Sequence, residues 1–419
     1  MSDIDQTQVL VVGAGPVGML TALLLKQNGI ETQIIDQEFR TAGHSYSCAL
    51  HPRSIQLLFQ AGVAVEAIST GRRIDSVGFY EGINRCAEVK LSDLKVEFPF
   101  AMVLEQSTLE NLLEQQLKKA GVKINWSSRL ADFEMRDTGV TATIEKLGAT
   151  GKGYSVPDFE PVVVNSRQVE AGFVIGTDGS NSLVRRRLKT PFERIGPVQH
   201  FAVYEIAADA DCGGEVRVVL DDNNAGVLWP LSETHCRWSL QIKPDKEGDD
   251  FPQKDRYRLV IAEPSNEEDS LHHLRRLLKE RAPWFKTPIE EVCWTTDVQF
   301  EPRVAAEFGK DRCWLAGDAA HQTGPVGMQS MNIGFREAAD LVAALKEKVL
   351  KKNGSPDLLR HYESEHRAEW QKLLNVKPTA LTKPAPSDWV RRRADRIIGS
   401  IPASGPDLNL LVRRLGIEF

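Results

Sequence analysis

The sequence predicts an α/β fold in which a parallel, nucleotide-binding layer carries an inserted antiparallel β-sheet. Three observations predict it. A glycine-rich turn near the start joins an apolar strand to an apolar helix. Two later strands end in Asp-Gly and Gly-Asp turns that lead into helices. The stretches between them read as short antiparallel strands separated by polar turns.

Val9–Val12 is four apolar residues without a charge, the pattern of a strand buried on both faces. Gly13-Ala14-Gly15-Pro16-Val17-Gly18 follows as G-x-G-x-x-G, then an apolar helical run from Met19 to Leu25. Gly13 allows a tight turn, Gly15 lets backbone N–H groups approach a pyrophosphate, and Gly18 lets helix and strand pack closely. The helix start holds phosphate through its free N–H groups and its dipole. Gly29 ends the helix, Ile30–Ile35 is a second strand, and Asp36 stands at its end. That spacing suits a carboxylate on an adenosine ribose, and the unit is Rossmann-like; an ordinary βαβ turn is the alternative.

A polar segment, Gln37–Ser47, precedes a helix that starts at Pro52 and is closed by Gly62. Arg53 in its first turn faces either cofactor phosphates and sugar or solvent. Ile74–Tyr80 and Cys86–Phe98 read as strands of the second sheet. Ser107-Thr108-Leu109-Glu110 has the form of a capping box, with Leu109, Leu112, Leu113 and Leu117 as the buried stripe. Gln106 lies just before it, where an amide reaches a ligand on the sheet edge. Val122–Trp126 is strand-like, and Val140–Ile144 with Val162–Val164 suggests a ribbon around the turn Gly148–Gly153.

Phe173–Gly176 runs into Thr177-Asp178-Gly179 and a helix start at Leu183, which puts a carboxylate and free amides where open α/β sheets bind ligands. Phe201–Ala207, Glu215–Leu220, Gly226–Trp229 and Cys236–Ile242 are antiparallel strands; Pro244–Asp255 is a charged loop, and Leu271–Arg281 is a helix stopped by Pro283. A third strand, ending in Gly317-Asp318, leads through the loop Ala319–Met328 to a helix from Asn332 to Leu350. Lys377–Pro386 reads as a linker. The basic tail Ser387–Phe419 packs on the body or lies on a membrane surface or a partner.

The 419 residues carry a net charge of -6, which does not favour nucleic acid. Ser2–Gln8 is polar and acidic rather than a signal sequence, and no apolar run is long enough for a transmembrane segment. The six cysteines show no metal spacing and read as thiols in a reducing, cytoplasmic setting. His272-His273 sits on a solvated helix face rather than at a metal.

Together the three signatures resemble the FAD-dependent aromatic hydroxylases, the para-hydroxybenzoate hydroxylase-like class A flavoprotein monooxygenases, over roughly residues 7–375. The resemblance implies a GR2-type FAD-binding domain formed by 1–73, 101–189 and 297–375. It also implies a substrate-binding β-sheet domain formed by 74–100 and 190–296, with a linker and helical tail at 376–419. It assigns FAD contacts to Gly13, Gly15, Pro16, Val17, Gly18, Asp36, Gln106 (with Glu110), Asp178, Gly179, Gly317, Asp318, Pro325, Gly327, Met331 and Asn332; Arg53 is a further candidate. Ser182, Arg185, Ala320 and His321 belong to the same motifs. Three departures stand out: Gly324-Pro325 where the family has Pro-Pro, Ser330 where it has Gly, and no Arg in the segment holding Tyr46 and Ser47.

The activity implied is hydroxylation of an aromatic or polycyclic small molecule. NAD(P)H acts as a transient reductant and O2 as co-substrate, through a flavin C4a-hydroperoxide. Tyr204, His235 and Pro325 are catalytic candidates, and Trp229 and Arg237 are candidates for the substrate roof. An epoxidase, a halogenase (without its G-W-x-W-x-I-P stretch), a flavin-dependent reductase and a non-catalytic FAD-fold escort protein are the alternatives. Oligomeric state, including a homodimer, is open.

Overall fold

The computed structural model describes residues 5–41, 49–63, 68–152, 158–208, 213–243, 267–351 and 357–419. Its organising layer is a sheet in the strand order Gly309–Lys310, Cys313–Leu315, Asp158–Gly176, Asp5–Val12, Thr32–Ile35, Ile124–Asn125. The last five are parallel neighbours. Asp5–Val12 sits in the middle, with Val9, Leu10 and Val11 fully buried, as the uncharged run requires. The chain leaves it to one side through Thr32–Ile35 and reaches its other side through Asp158–Gly176. The boundary between these strands is therefore a topological switch point. Val12 is in register with Ile35 and Gly176, and Gly176 with Leu315, so all three motif turns emerge from one carboxyl edge.

The second layer is a seven-stranded sheet in the order Glu291–Phe300, Gln199–Ala207, His235–Ile242, Ala225–Pro230, Glu215–Leu220, Ser76–Glu81, Asn84–Lys90. Strand periodicity divides its side chains into two sets. Tyr204, Ile206, Cys236, Trp238 and Leu240 pack with Leu274, Leu277 and Leu278 of the helix Glu267–Arg281. Val77, Phe79, Val216, Val218, Val227 and Trp229 join the core of the parallel layer.

Several sequence expectations change. The helix Gln106–Lys119 is capped at Glu105 without a side-chain bond, so the capping box does not form. Glu110 is instead turned inward, 3% exposed, where its Oε1 accepts from Gln106 Nε2 at 2.8 Å. The strand predicted to reach Phe98 stops at Lys90, and Leu91–Asp93 is a 3-10 turn. Val162–Val164 and Phe173–Gly176 are parts of one 19-residue strand. Its antiparallel partner, Gly139–Lys152, takes up most of the expected glycine turn; Gly153 lies outside the described residues. So do Tyr46, Ser47 and the loop Pro244–Asp255.

The tail packs on the body through the helices Asp388–Arg392, Ala394–Ser400 and Gly405–Arg414. Ile397, Ile398, Leu408, Leu411 and Val412 are buried. The linker is pinned where Thr379–Ala380 pairs with Ile417–Glu418.

Candidate active site

The three glycines of the first turn meet different surroundings. Gly13 has φ +102, and a Cβ there would stand 2.3 Å from the Thr177 carbonyl oxygen. A Cβ at Gly18 would stand 1.9 Å from the Gly13 carbonyl oxygen. At Gly15 nothing lies within 4 Å. Two glycines thus close the turn, and the third faces open space at the start of the helix Pro16–Gln27, where unpaired N–H groups and the helix dipole favour an anion. Asp36 Oδ2 accepts from Ala14 N at 2.5 Å and Oδ1 from Glu38 N at 2.8 Å, which fixes the carboxylate at the rim with acceptor positions to spare.

The second turn is tied to the first. Thr177 Oγ1 donates to the Val12 or Gly13 carbonyl at 2.9 or 3.0 Å. Asp178 Oδ2 accepts from Leu183 N at 2.7 Å and Val184 N at 3.2 Å, while its Oδ1 is buried without a hydrogen-bond partner. Burial raises this carboxyl above the ordinary range against the pull of those donors. Arg185 bridges the second and third turns: Nη1 donates to the Ala319 carbonyl at 2.8 Å and Nη2 to the Ser180 carbonyl at 2.6 Å. Gly179 has φ +74 with open space at its Cβ position.

The third turn rests on a buried acid that sequence reasoning missed. Glu337, on the helix Gln329–Lys351, is fully buried. Its Oε2 accepts from Gly317 N at 2.8 Å and pairs with His321 Nε2 at 2.8 Å, and its Oε1 accepts from Trp370 Nε1 at 2.9 Å. The His321 ring stacks on Trp370 at 3.9 Å between centroids. Burial alone would raise the Glu337 carboxyl, but His321, His366 and the Gly317 N–H outweigh it and hold it below the ordinary value. The only sequence signal is an acid among apolar helix positions, between Phe335 and Ala338. Asp318 remains exposed beside the turn, and Val17 lies 3.2 Å from where a Gly317 Cβ would stand.

The loop after it lies between the two layers. Val326 packs against Phe201, Val203 and Val298. The Gly324 Cβ position is 2.8 Å from Gln199 Oε1, and that of Gly327 is 2.3 Å from the Gly399 carbonyl oxygen of the tail. Pro325 is half-buried in this loop, its carbonyl accepting from Met328 N at 3.4 Å. Met331 is half-buried and packs on the main core. Asn332 is 1% exposed: Oδ1 accepts from His51 N at 2.7 Å, and Nδ2 donates to the carbonyls of Met328 at 2.7 Å and Ala49 at 2.9 Å. His51, another missed residue, joins Gly327 O through Nε2 at 2.9 Å, and burial pushes its pKa down to about 3.

Four candidates have partners of their own. Arg53 Nε pairs with Asp407 Oδ2 at 2.8 Å, in the tail. Tyr204 faces the helix Glu267–Arg281, its hydroxyl 3.1 Å from His273 Nδ1, and burial raises its phenol well above the ordinary value. His235 is exposed at the start of its strand, beside Thr234 and Ser232. Gln106 is bonded to Glu110. Among the described residues no group of three or more His, Cys, Asp or Glu has the geometry of a metal site.

A phosphate-ready helix start, a rim carboxylate and a buried unpartnered acceptor along one carboxyl edge define a dinucleotide-binding α/β protein, with an antiparallel sheet closing over its last loop. The chain belongs to the flavoprotein family described as FAD binding domain, which matches residues 6–376.

Among its relatives, 6-methylpretetramide 4-monooxygenase of Streptomyces rimosus is 26% identical over 384 residues, covering 90% of this chain and 62% of that one. Para-nitrophenol 4-monooxygenase of Pseudomonas sp. (strain WBC-3) is 26% identical over 381 residues, covering 89% and 85%. The chain also spans only 63% of pentachlorophenol 4-monooxygenase from Sphingobium chlorophenolicum, so it falls short of two thirds of several relatives' length. The fold matches the crystal structure of p-nitrophenol 4-monooxygenase PnpA from Pseudomonas putida DLL-E4, with a TM-score of 0.72 at 21% identity over 98% of this chain and 97% of that one.

Proposed function

We propose that this protein is an NAD(P)H-dependent FAD monooxygenase that hydroxylates an aromatic small molecule. The observation that carries the reading is the convergence of three turns on one carboxyl edge, with Gly15 open and Asp178 Oδ1 unpartnered. The helix start after Gly15 would hold the pyrophosphate, Asp36 the adenosine ribose, and Asp318 the ribityl chain. Bound FAD supplies electron transfer and oxygen activation, the chemistry that protein side chains lack.

The chain's share is positioning and exclusion of water. Arg185 and Glu337 hold the second and third turns in place, and the loop around Val326 is pressed against Phe201 and Val203 so that an apolar surface bounds the reaction space. Neither Tyr204 nor His235 stands on that surface, so neither is offered as a base. The test is the purified chain loaded with FAD. It should show a flavin spectrum, oxidise NADH or NADPH faster with an aromatic substrate, and place one atom of labelled O2 in the product. Substrate turnover without oxygen would defeat the proposal.

A further inference from the structure

The inner face of the antiparallel sheet carries one row unlike its neighbours. Strand register places Trp229 opposite Arg237, Arg237 opposite Glu205, and Glu205 opposite Trp294. An ion pair therefore lies between two indoles across four strands. The next row is Val227, Ser239, Val203 and Thr296, and the one after holds Gln241, Phe201 and Val298. Val326 of the loop sits against these later rows. The charged row is thus one strand step, about 7 Å, beyond the surface that the loop covers.

The pair is asymmetric. Arg237 Nε donates to Glu205 Oε1 at 2.9 Å; the arginine side chain is 2% exposed and the carboxylate 25%. The carboxylate is the open end, and the guanidinium backs it. An arginine alone on this face would be a receptor for anions; with Glu205 in place that charge is cancelled. Beside it, Trp229 Nε1 is buried without a hydrogen-bond partner, as is Thr296 Oγ1 one row away. A buried ion pair contributes little to stability over apolar residues of similar volume, so its presence here calls for another role.

We propose that the Trp229–Arg237–Glu205–Trp294 row selects a neutral aromatic ligand that donates a hydrogen bond to Glu205, and that it turns away aromatic carboxylates. The proposal rests on the same groove as the proposed function and names what that groove admits. The half-buried Trp294 offers an aromatic edge or face to a planar ring, while Trp229 is fully buried behind the pair. A carboxylate would meet the Glu205 charge at close range in a poorly hydrated space, where like charges repel strongly.

The test is equilibrium dialysis of the FAD-loaded protein, without reductant, against 2-naphthol, 2-naphthoate and 2-naphthylmethylamine. The wild-type protein should bind the naphthol at least about tenfold more tightly than the naphthoate. Glu205→Gln, which keeps the shape and removes the negative charge beside Arg237, should move that ratio about tenfold toward naphthoate. Arg237→Gln, which uncovers the opposite charge, should move selectivity toward the naphthylmethylammonium ion. A structural pair would lose stability in both variants without reversing ligand charge preference. Ratios unmoved in the variants that fold, or a wild-type protein that holds naphthoate as tightly as naphthol, would overturn the proposal. Charge selectivity without an oxygenated product defeats the monooxygenase reading alone; product without selectivity defeats this one alone.

Discussion

At the scale of single residues, Gly15 and Gly18 separate ligand from fold. Gly18→Ala drives a methyl into the Gly13 carbonyl and should cost about 2–4 kcal/mol in urea unfolding, as overpacking against backbone does. Gly15→Val enters open space, so the melting temperature of the FAD-free protein should hold while FAD retention falls at least about tenfold. His51 gives a pH prediction. Its pKa is about 3 in the fold against 6.5 ordinarily, and desolvation is the main cause. Between those values the unfolded chain binds more protons, so stability present above pH 6.5 is lost as pH falls toward 3. The full shift corresponds to roughly 4–5 kcal/mol, and His51→Gln should flatten the decline of melting temperature with acid.

At the scale of elements, the helix Gln329–Lys351 acts through Glu337. Glu337→Ala strands Gly317 N, His321 and Trp370 Nε1 in a dry interior, at a cost of about 3–5 kcal/mol. Glu337→Gln keeps an acceptor and should lose less; calorimetry on both variants separates charge from hydrogen bonding. This acid also marks the limit of what the sequence discloses. The glycine turn, the strand before it and the acid after the second strand were legible because backbone geometry restricts which residues can stand there. Gly13, Gly18 and Asp36 satisfy those restrictions visibly. Glu337 and His51 were not legible, because their partners lie far away in the chain: Glu337 reaches Trp370, and His51 reaches Gly327 and Asn332. Tyr204 was misjudged for a related reason. Alternation shows that Tyr204 and Glu205 take opposite faces, but only the helix Glu267–Arg281 shows which face is closed. The capping box failed because the helix starts at Gln106, which puts Ser107 inside its first turn, and Glu110 bonds back to Gln106 along the same helix.

At the scale of the whole molecule, the tail joins the two layers at points remote from each other in sequence. Arg393, 1% exposed, donates to Glu81 Oε1 at 2.5 Å and Asp222 Oδ1 at 2.6 Å, and Arg396 donates to the Asp221 carbonyl at 2.5 Å; all three acceptors belong to the antiparallel layer. On the other side Asp407 pairs with Arg53, Ser404 Oγ accepts from Arg336 at 3.0 Å, and Ile401 O accepts from Gln329 at 2.8 Å. Gly399 meanwhile abuts Gly327 of the loop between the layers. The tail therefore ties the two layers together as well as covering apolar surface, and these ties are expected to set the gap between the layers. Arg393→Ala removes bonds on the sheet side only, where its partners Glu81 and Asp222 are 43% and 77% exposed and can rehydrate. Its cost in global stability should be modest, about 1–3 kcal/mol. Its larger effect should be local: faster amide exchange in the 221–224 turn and the Ala394–Ser400 helix, with the Asp5–Val12 strand unchanged. Under the proposed function a looser groove would admit water, so NAD(P)H consumption should then shift from hydroxylated product toward hydrogen peroxide. Exchange that rises uniformly through both layers would mean that the tail supports overall stability and does not set the gap between them.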